Sequence, residues 1–407
     1  MPPSRSHAAY RSIRSYVDLI LIGIIVALTL RFTVETPTSD DWDLVPILQK
    51  MHEGTLDWKT LNTPYAGHDI AVPYVIMGSI AYVTHWNTYV FRVVNFLILI
   101  IAWLAIRPTA IQEGRLLESA VLFWSFNQCA SWVWTSMMIP SIALCCALWC
   151  LRLLTSASYR NFIAAALLAV LGTFSFSTGL AIWPAALFLI FCIPRPPAQK
   201  MLFGIVIAAT AYLFLQQPPA AQDMAPGKNY FYMPLFFLLS LGAPVGFAAM
   251  GTAAIAALAG LMMLIAGRPT LESLKARPFV VALMLLGFGM LMILTIVRGA
   301  ASNPVLAMDS RYGSISALCW VGIILLVDWT GWKRYVLVLL VALCLIRDAA
   351  MVRYIADIDQ VKRLGVAGIK ANNANRFLLK GDHTSPQQFE RDIELMREWH
   401  YSLFRTN

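Results

Sequence analysis

Charge is what this sequence has least of. Of 407 residues only 13% are Asp, Glu, Lys or Arg and 59% are hydrophobic, where a soluble domain carries about a quarter charged residues. A fold with a water-facing surface along its whole length is excluded. Motifs of familiar chemistry are missing as well: there is no Walker-type glycine loop, no Rossmann fingerprint, no HExxH and no Cys/His spacing suited to zinc. Their absence argues against a nucleotide donor handled in the cytoplasm and against a zinc centre. The seven cysteines (Cys129, Cys145, Cys146, Cys150, Cys192, Cys319 and Cys344) all lie in apolar stretches and form no CxxC pair. An odd set in such surroundings reads as small buried hydrophobes, not as a disulfide framework. The net charge is +9, yet no basic run or aromatic-interleaved basic patch occurs, so no nucleic-acid partner is expected. Neither an internal repeat nor a low-complexity tract is present.

What the chain does have is apolar runs. Several are 16 to 20 residues long with almost no charge, enough to cross a hydrocarbon core of about 30 Å. Inside lipid every backbone polar group needs an internal partner, so such segments are helices. The fold class is therefore all-α: a polytopic transmembrane helical protein, with helices at its outer interface and a short helical C-terminal tail. Arg5, Arg11 and Arg14 precede the first run, which is long and lacks a small-x-small cleavage site. It reads as an uncleaved first crossing with a cytoplasmic N-terminus.

About eleven crossings are expected, at 17–35, 88–106, 116–131, 137–154, 160–176, 180–194, 201–215, 246–266, 279–297, 313–329 and 335–350. With this assignment the cytoplasmic connections hold 14 basic residues: Arg5, Arg11, Arg14, Arg107, Arg115, Arg152, Arg160, Arg195, Lys200, Arg268, Lys275, Arg277, Lys333 and Arg334. The outer loops hold five, namely Lys50, Lys59, Lys228, Arg298 and Arg311. That asymmetry matches the positive-inside rule. Residues 70–86 are apolar but short and contain Pro73 and Gly78. They are expected to lie in the outer interface or to re-enter, because a crossing there would reverse everything downstream. Two regions follow: a membrane domain over 1–350, with its first outer loop at about 36–87, and a helical tail over 351–407 on the periplasmic side. Ser385-Pro386 with Gln388 reads as the N-cap, first residue and capping-box partner of a last helix reaching about Phe404.

The polar residues then gather on one side. Asp40 and Asp41 follow the first crossing, with Trp42 and Asp43 next to them. Paired carboxylates at a membrane boundary point to function or to a partner, but Asp also suits a helix N-cap. His68 and Asp69 close the same loop. Gln128, Trp132 and Trp134 form a second cluster, in which the tryptophans read either as site residues or as interfacial anchors. Ser175, Ser177, Thr178 and Gly179 interrupt an apolar run, which suits either an outer turn or hydroxyls bonding back to their own helix. Arg298, Arg311 and Tyr312 complete the set, the two arginines standing against the positive-inside pattern. A basic residue there needs a carboxylate, for which Asp309 is at hand, or an anionic ligand such as phosphate. A carboxylate base with arginines suits transfer from a phosphate-linked donor. The adjacent Asp pair is also a weak candidate for a divalent cation.

In this order the motifs resemble the GT-C class of polyprenyl-phosphate-sugar glycosyltransferases. The closer likeness is to bacterial GT-C-like membrane proteins of unassigned substrate, spread over about residues 15–330. The matching residues are Asp40-Asp41-Trp42, Gly67-His68-Asp69, Gln128 with Trp132 and Trp134, Ser177 with Gly179, and Ser310-Arg311-Tyr312. The family pattern places a basic residue after the histidine, where this chain has Asp69 and Ile70. The resemblance implies inverting hexosyl or pentosyl transfer at the periplasmic face of a bacterial inner membrane. The donor would be a polyprenyl-phosphate sugar and the acceptor a surface glycan or lipid-linked precursor, with Asp40 or Asp41 as base. His68, Asp69, Gln128, Trp132, Ser177, Arg298, Arg311 and Tyr312 would contact substrate, and no metal ligand is assigned. The competing readings are a transporter or flippase for a lipid-linked or anionic substrate, and a non-catalytic membrane subunit.

Overall fold

The structure, a computed structural model, describes residues 16–61, 70–216, 230–246, 250–299, 304–380 and 384–405. Among them no strand forms, apart from one isolated bridge between Ser39 and Lys380. The main helices are α1 (Val17–Arg31), α2 (Val45–His52), α3 (Ala71–Thr84), α4 (Thr88–Gln112), α5 (Leu116–Phe123), α6 (Met138–Leu154), α7 (Tyr159–Thr173), α8 (Ile182–Cys192), α9 (Pro197–Leu215), α10 (Tyr232–Gly242), α11 (Met250–Ala266), α12 (Pro278–Arg298), α13 (Gly313–Leu326), α14 (Trp332–Ala371) and α15 (Pro386–Glu398). Five stretches are long and apolar enough to cross a membrane: α4, 135–154 including α6, α9, α12 and α14. Several shorter apolar helices accompany them. The chain is an integral membrane protein by this measure.

Without a hydrophobic drive inside lipid, helices associate where small residues let backbones approach. Gly322 of α13 lies against the Met284 backbone of α12, a Cβ there falling 2.9 Å from the Met284 Cα. Gly242 at the end of α10 faces the Ala256 carbonyl of α11 so closely that a Cβ would sit 1.7 Å from the oxygen. In α1, Asp18 is fully buried and is neutralised by Arg107 of α4, whose Nε stands 2.6 Å away, while the Trp103 indole also donates to it. The cysteines are free, and most are buried.

Three expectations change. The span 116–131 is not one helix, because α5 stops at Phe123 and two short turns follow. A helix broken inside a protein must find partners for its freed backbone groups, and here side chains from other helices supply them. Arg92 of α4 donates to the Val133 carbonyl and Asn95 to that of Ser131 at 2.7 Å. Asp348 of α14 accepts from the Asn127 N–H at 2.9 Å and from the Ser125 hydroxyl at 2.7 Å. Second, the region between 215 and 246 contains α10, which was expected to be loop. Third, no boundary falls at 350: α14 runs unbroken for 40 residues, about 60 Å at 1.5 Å per residue, twice a hydrocarbon core. Its second half leaves the apolar bundle and carries the tail back onto the first loop.

The N-capped α15 forms but stops at Glu398, short of the expected Phe404, which lies in a separate turn. The Ser385 hydroxyl accepts the Gln388 N–H at 3.1 Å. Phe389, Ile393 and Met396 make the buried stripe of α15, with Phe389 edge-on to Trp42 at 4.9 Å. α3 is about 21 Å long, short of a bilayer core. Its start is tied by Val72 N–H to the Phe174 carbonyl, beyond the end of α7. At its end the Tyr401 hydroxyl donates to the Tyr82 carbonyl, and the Ser402 N–H to that of His85.

Candidate functional site

The chain after α1 turns sharply at Ser39, whose φ of 54° lies in the left-handed region that side chains avoid. The tail holds it there. Ser39 N–H donates to the Leu379 carbonyl at 3.0 Å, and the Trp42 indole donates to the same oxygen at 2.9 Å. Asp40 and Asp41 open the short 3-10 turn that follows (Asp40–Leu44), where successive side chains leave in different directions. Asp41 is 1% exposed. One of its oxygens takes the Ser136 N–H at 2.7 Å, and the other takes the Thr38 N–H at 3.2 Å and hydroxyl at 3.5 Å. It is a pin between the first loop and the start of 135–154.

Asp40 points elsewhere. Its carboxylate accepts from the Ser39 hydroxyl at 3.2 Å and faces Arg311 Nη1 at 3.8 Å, with 16% of the side chain exposed. Arg311 is held by Asp309, which takes its Nε at 3.2 Å, its Nη2 at 3.1 Å and its backbone N–H at 2.9 Å. The guanidinium lies 5.9 Å from the Trp134 ring centre and 5.8 Å from that of Tyr312. The carboxylate expected to answer an arginine on this face is therefore Asp309, with Asp40 a second, looser partner. The two adjacent aspartates address different groups, and both Asp41 oxygens are occupied by donors. As a pair they do not suit a divalent cation, and among the described residues no cluster of metal-ligating side chains forms elsewhere.

Trp134 stands where two cavities meet. One, of about 390 Å³, is mainly apolar and runs between Cys129, Val133, Met308 and Met351, with Asp309, Ser310 and Arg347 at its polar positions. The other, of about 360 Å³, is bordered by Thr38, Ser39, Asp357, Lys362 and Lys380. Trp134, Tyr354 and Ile358 line both. One face of α14 makes the shared wall: Arg347, Met351, Tyr354, Ile358 and Lys362 recur every three or four residues, as neighbours on one helical face do.

The remaining expected site residues divide. Gln128 is buried, its amide donating to the Leu122 and Phe123 carbonyls at 2.9 and 3.2 Å. Trp132 is stacked between Phe96 and Trp124 at 5.5 and 5.8 Å and donates to the Ser125 carbonyl. Both pack the broken helix, and like Asp40, Arg311 and Tyr312 they are not among the residues lining these two cavities. Ser177 begins the turn 177–181, and Arg298 ends α12; neither is among the cavity-lining side chains. The two readings of the serine-rich break both hold, since Ser175 and Thr173 bond back to their own helix while 177–181 forms the turn. His68 and Asp69 lie outside the described residues. Asp40, Arg311 and Tyr312 do come together.

Reasoning from sequence missed Tyr354, Lys362, Lys380 and Arg347. The three on α14 carry a signal, helical spacing on one stripe, but it emerges only if the helix is extended through Ala371. Comparison with protein-family models, with curated proteins and with solved structures found no match to this chain.

Proposed function

We propose that the chain is a membrane glycosyltransferase of GT-C-like architecture that moves a sugar from a polyprenyl-phosphate carrier to a glycan or lipid-linked acceptor. In this reading the N-terminus is cytoplasmic, about eleven segments cross a bacterial inner membrane, and the groove opens on the periplasmic side. One observation carries the reading. A carboxylate and an arginine, Asp40 and Arg311, face each other at 3.8 Å, and the arginine lies over the ring of Trp134, which lines two mainly apolar cavities. Apolar space with an arginine against its wall residue suits a lipid tail bearing a phosphate.

The chemistry follows from those positions. Asp40 takes the proton of the acceptor hydroxyl as that oxygen attacks the anomeric carbon. The bond from that carbon to the carrier phosphate breaks with inversion, and the electron pair leaves on the phosphate. Arg311, oriented by Asp309, stabilises that charge as it develops. Asp41 holds the loop in register and takes no part in proton transfer. Transporters, by contrast, place ionisable residues on discontinuous helices related by internal repeats, and no repeat is found here.

The test is the glycan and lipid-linked precursor profile of cells carrying Asp40→Asn or Arg311→Lys at matched protein levels. Losing the base lowers transfer about 10²–10⁴-fold. An unchanged profile in both variants refutes the catalytic reading.

A further inference from the structure

Lys362 has no task in that mechanism, yet it occupies an unusual position. It is 8% exposed and lines the 360 Å³ cavity. Among the described residues it makes no hydrogen bond, and no carboxylate comes within 4.0 Å of it. The charges around it are Arg92, Asp41 and Asp359, with Asp357 and Lys380 on the cavity wall. Of the two nearby buried carboxylates, Asp41 is fully occupied, whereas Asp359 pairs through one oxygen only and keeps the other buried without a hydrogen bond. Asp359 binds Arg363 Nε at 2.7 Å, and Asp41 is occupied by Thr38 and Ser136. Lys380 is anchored through the Thr384 carbonyl at 2.8 Å. A buried ammonium without a close partner is costly, and an anion entering the cavity would relieve that cost.

The rest of the wall says what carries the anion. The wall is mainly apolar, with Ile358, Val361, Leu378 and the rings of Trp134 and Tyr354, and its polar groups are Thr38, Ser39, Asp357 and the two lysines; rings beside hydroxyls suit the faces and edges of a sugar. About 360 Å³ is room for one sugar unit with an acidic group. We infer that this second cavity is an anion subsite in which Lys362, with Lys380 on the same wall, holds the phosphate or carboxylate of an acidic sugar acceptor. The term acceptor rests on the transfer reading above; the anion site rests on Lys362 and its cavity alone.

The experiment is calorimetric titration of the full-length protein in phosphatidylcholine nanodiscs with inorganic phosphate, glucuronate and glucose. Wild type, Lys362→Met, Lys362→Arg and Arg311→Met are compared. The subsite predicts that phosphate or glucuronate binds the wild type and glucose does not. Glucuronate affinity should fall at least tenfold in Lys362→Met, persist in Lys362→Arg and survive in Arg311→Met, whereas any phosphate binding lost only in Arg311→Met belongs to the separate donor site. Phosphate alone binding, and lost in Lys362→Met, points to a phosphorylated acceptor, and glucuronate binding to a carboxylated one. No anion binding by the wild type, or equal binding by Lys362→Met, overturns the inference. Loss of glucuronate binding in Arg311→Met with Lys362→Met unaffected moves the anion to the donor side and overturns it too. The thermal midpoint of Lys362→Met gives a separate reading: it should hold or rise, and a clear drop would make Lys362 the structural counter-ion of Asp41 and Asp359. Anion binding that survives while Asp40→Asn leaves the glycan profile unchanged would keep the subsite and remove the transfer reading. The reverse pattern would do the opposite.

Discussion

Replacing Asp41 and Asp40 separately with asparagine should produce two different failures. Asp41 accepts from the Ser136 and Thr38 N–H groups and the Thr38 hydroxyl while almost wholly buried. Asparagine keeps the shape but has only one acceptor oxygen, and its amide nitrogen must then face a backbone N–H. One or two hydrogen bonds to a charged group are lost, each worth about 1.5–3 kcal/mol, so the loss is about 1.5–6 kcal/mol. Asp40 is different: its ion pair is 3.8 Å long and partly exposed, a kind of contact worth about 1 kcal/mol or less. The measurements are thermal denaturation of each purified variant in nanodiscs and the glycan profile of cells making equal amounts of protein. Asp41→Asn should melt clearly below the wild type, while Asp40→Asn should melt near it and still lose transfer. A normal melting point for Asp41→Asn together with the larger loss of activity would show that the two aspartates had been assigned the wrong way round.

Asp392 on α15 is buried beside Asp43, and desolvation raises its carboxyl to about 7 despite the neighbouring Arg391. A carboxyl raised in the folded state stabilises below its ordinary value near 4, and that contribution is lost as pH rises through about 7. Asp392→Asn should therefore raise the melting point at pH 8 and leave it nearly unchanged at pH 4; an equal shift at both values would contradict this assignment. Gly179 sits in the turn before α8, where a Cβ would fall 2.1 Å from the Gly172 carbonyl oxygen. Gly179→Ala should destabilise by about 1–3 kcal/mol or more through overpacking, and wild-type melting would show that the two backbones are not in contact.

Composition alone determined that this chain is helical and lies in a membrane. The physical reason is that uncharged runs of crossing length have no other way to satisfy their backbone. Local signals sufficed for the ends of some elements too, such as the Ser385 cap and the apolar stripe of α15. They failed where a polar residue's role depends on what its neighbours leave unsatisfied. Gln128 looks like a site residue in sequence, yet the backbone of the broken helix after α5 uses it as a partner, as it uses Arg92, Asn95 and Asp348. Asp40 and Asp41 are adjacent and chemically identical, and only the 3-10 turn after Ser39 sends one into the loop packing and the other toward Arg311. The groove is the clearest case. It exists because a 40-residue helix projects beyond the bundle and its tail folds back onto Trp42. Only that return brings Lys362 and Lys380 opposite Ser39 and Trp134.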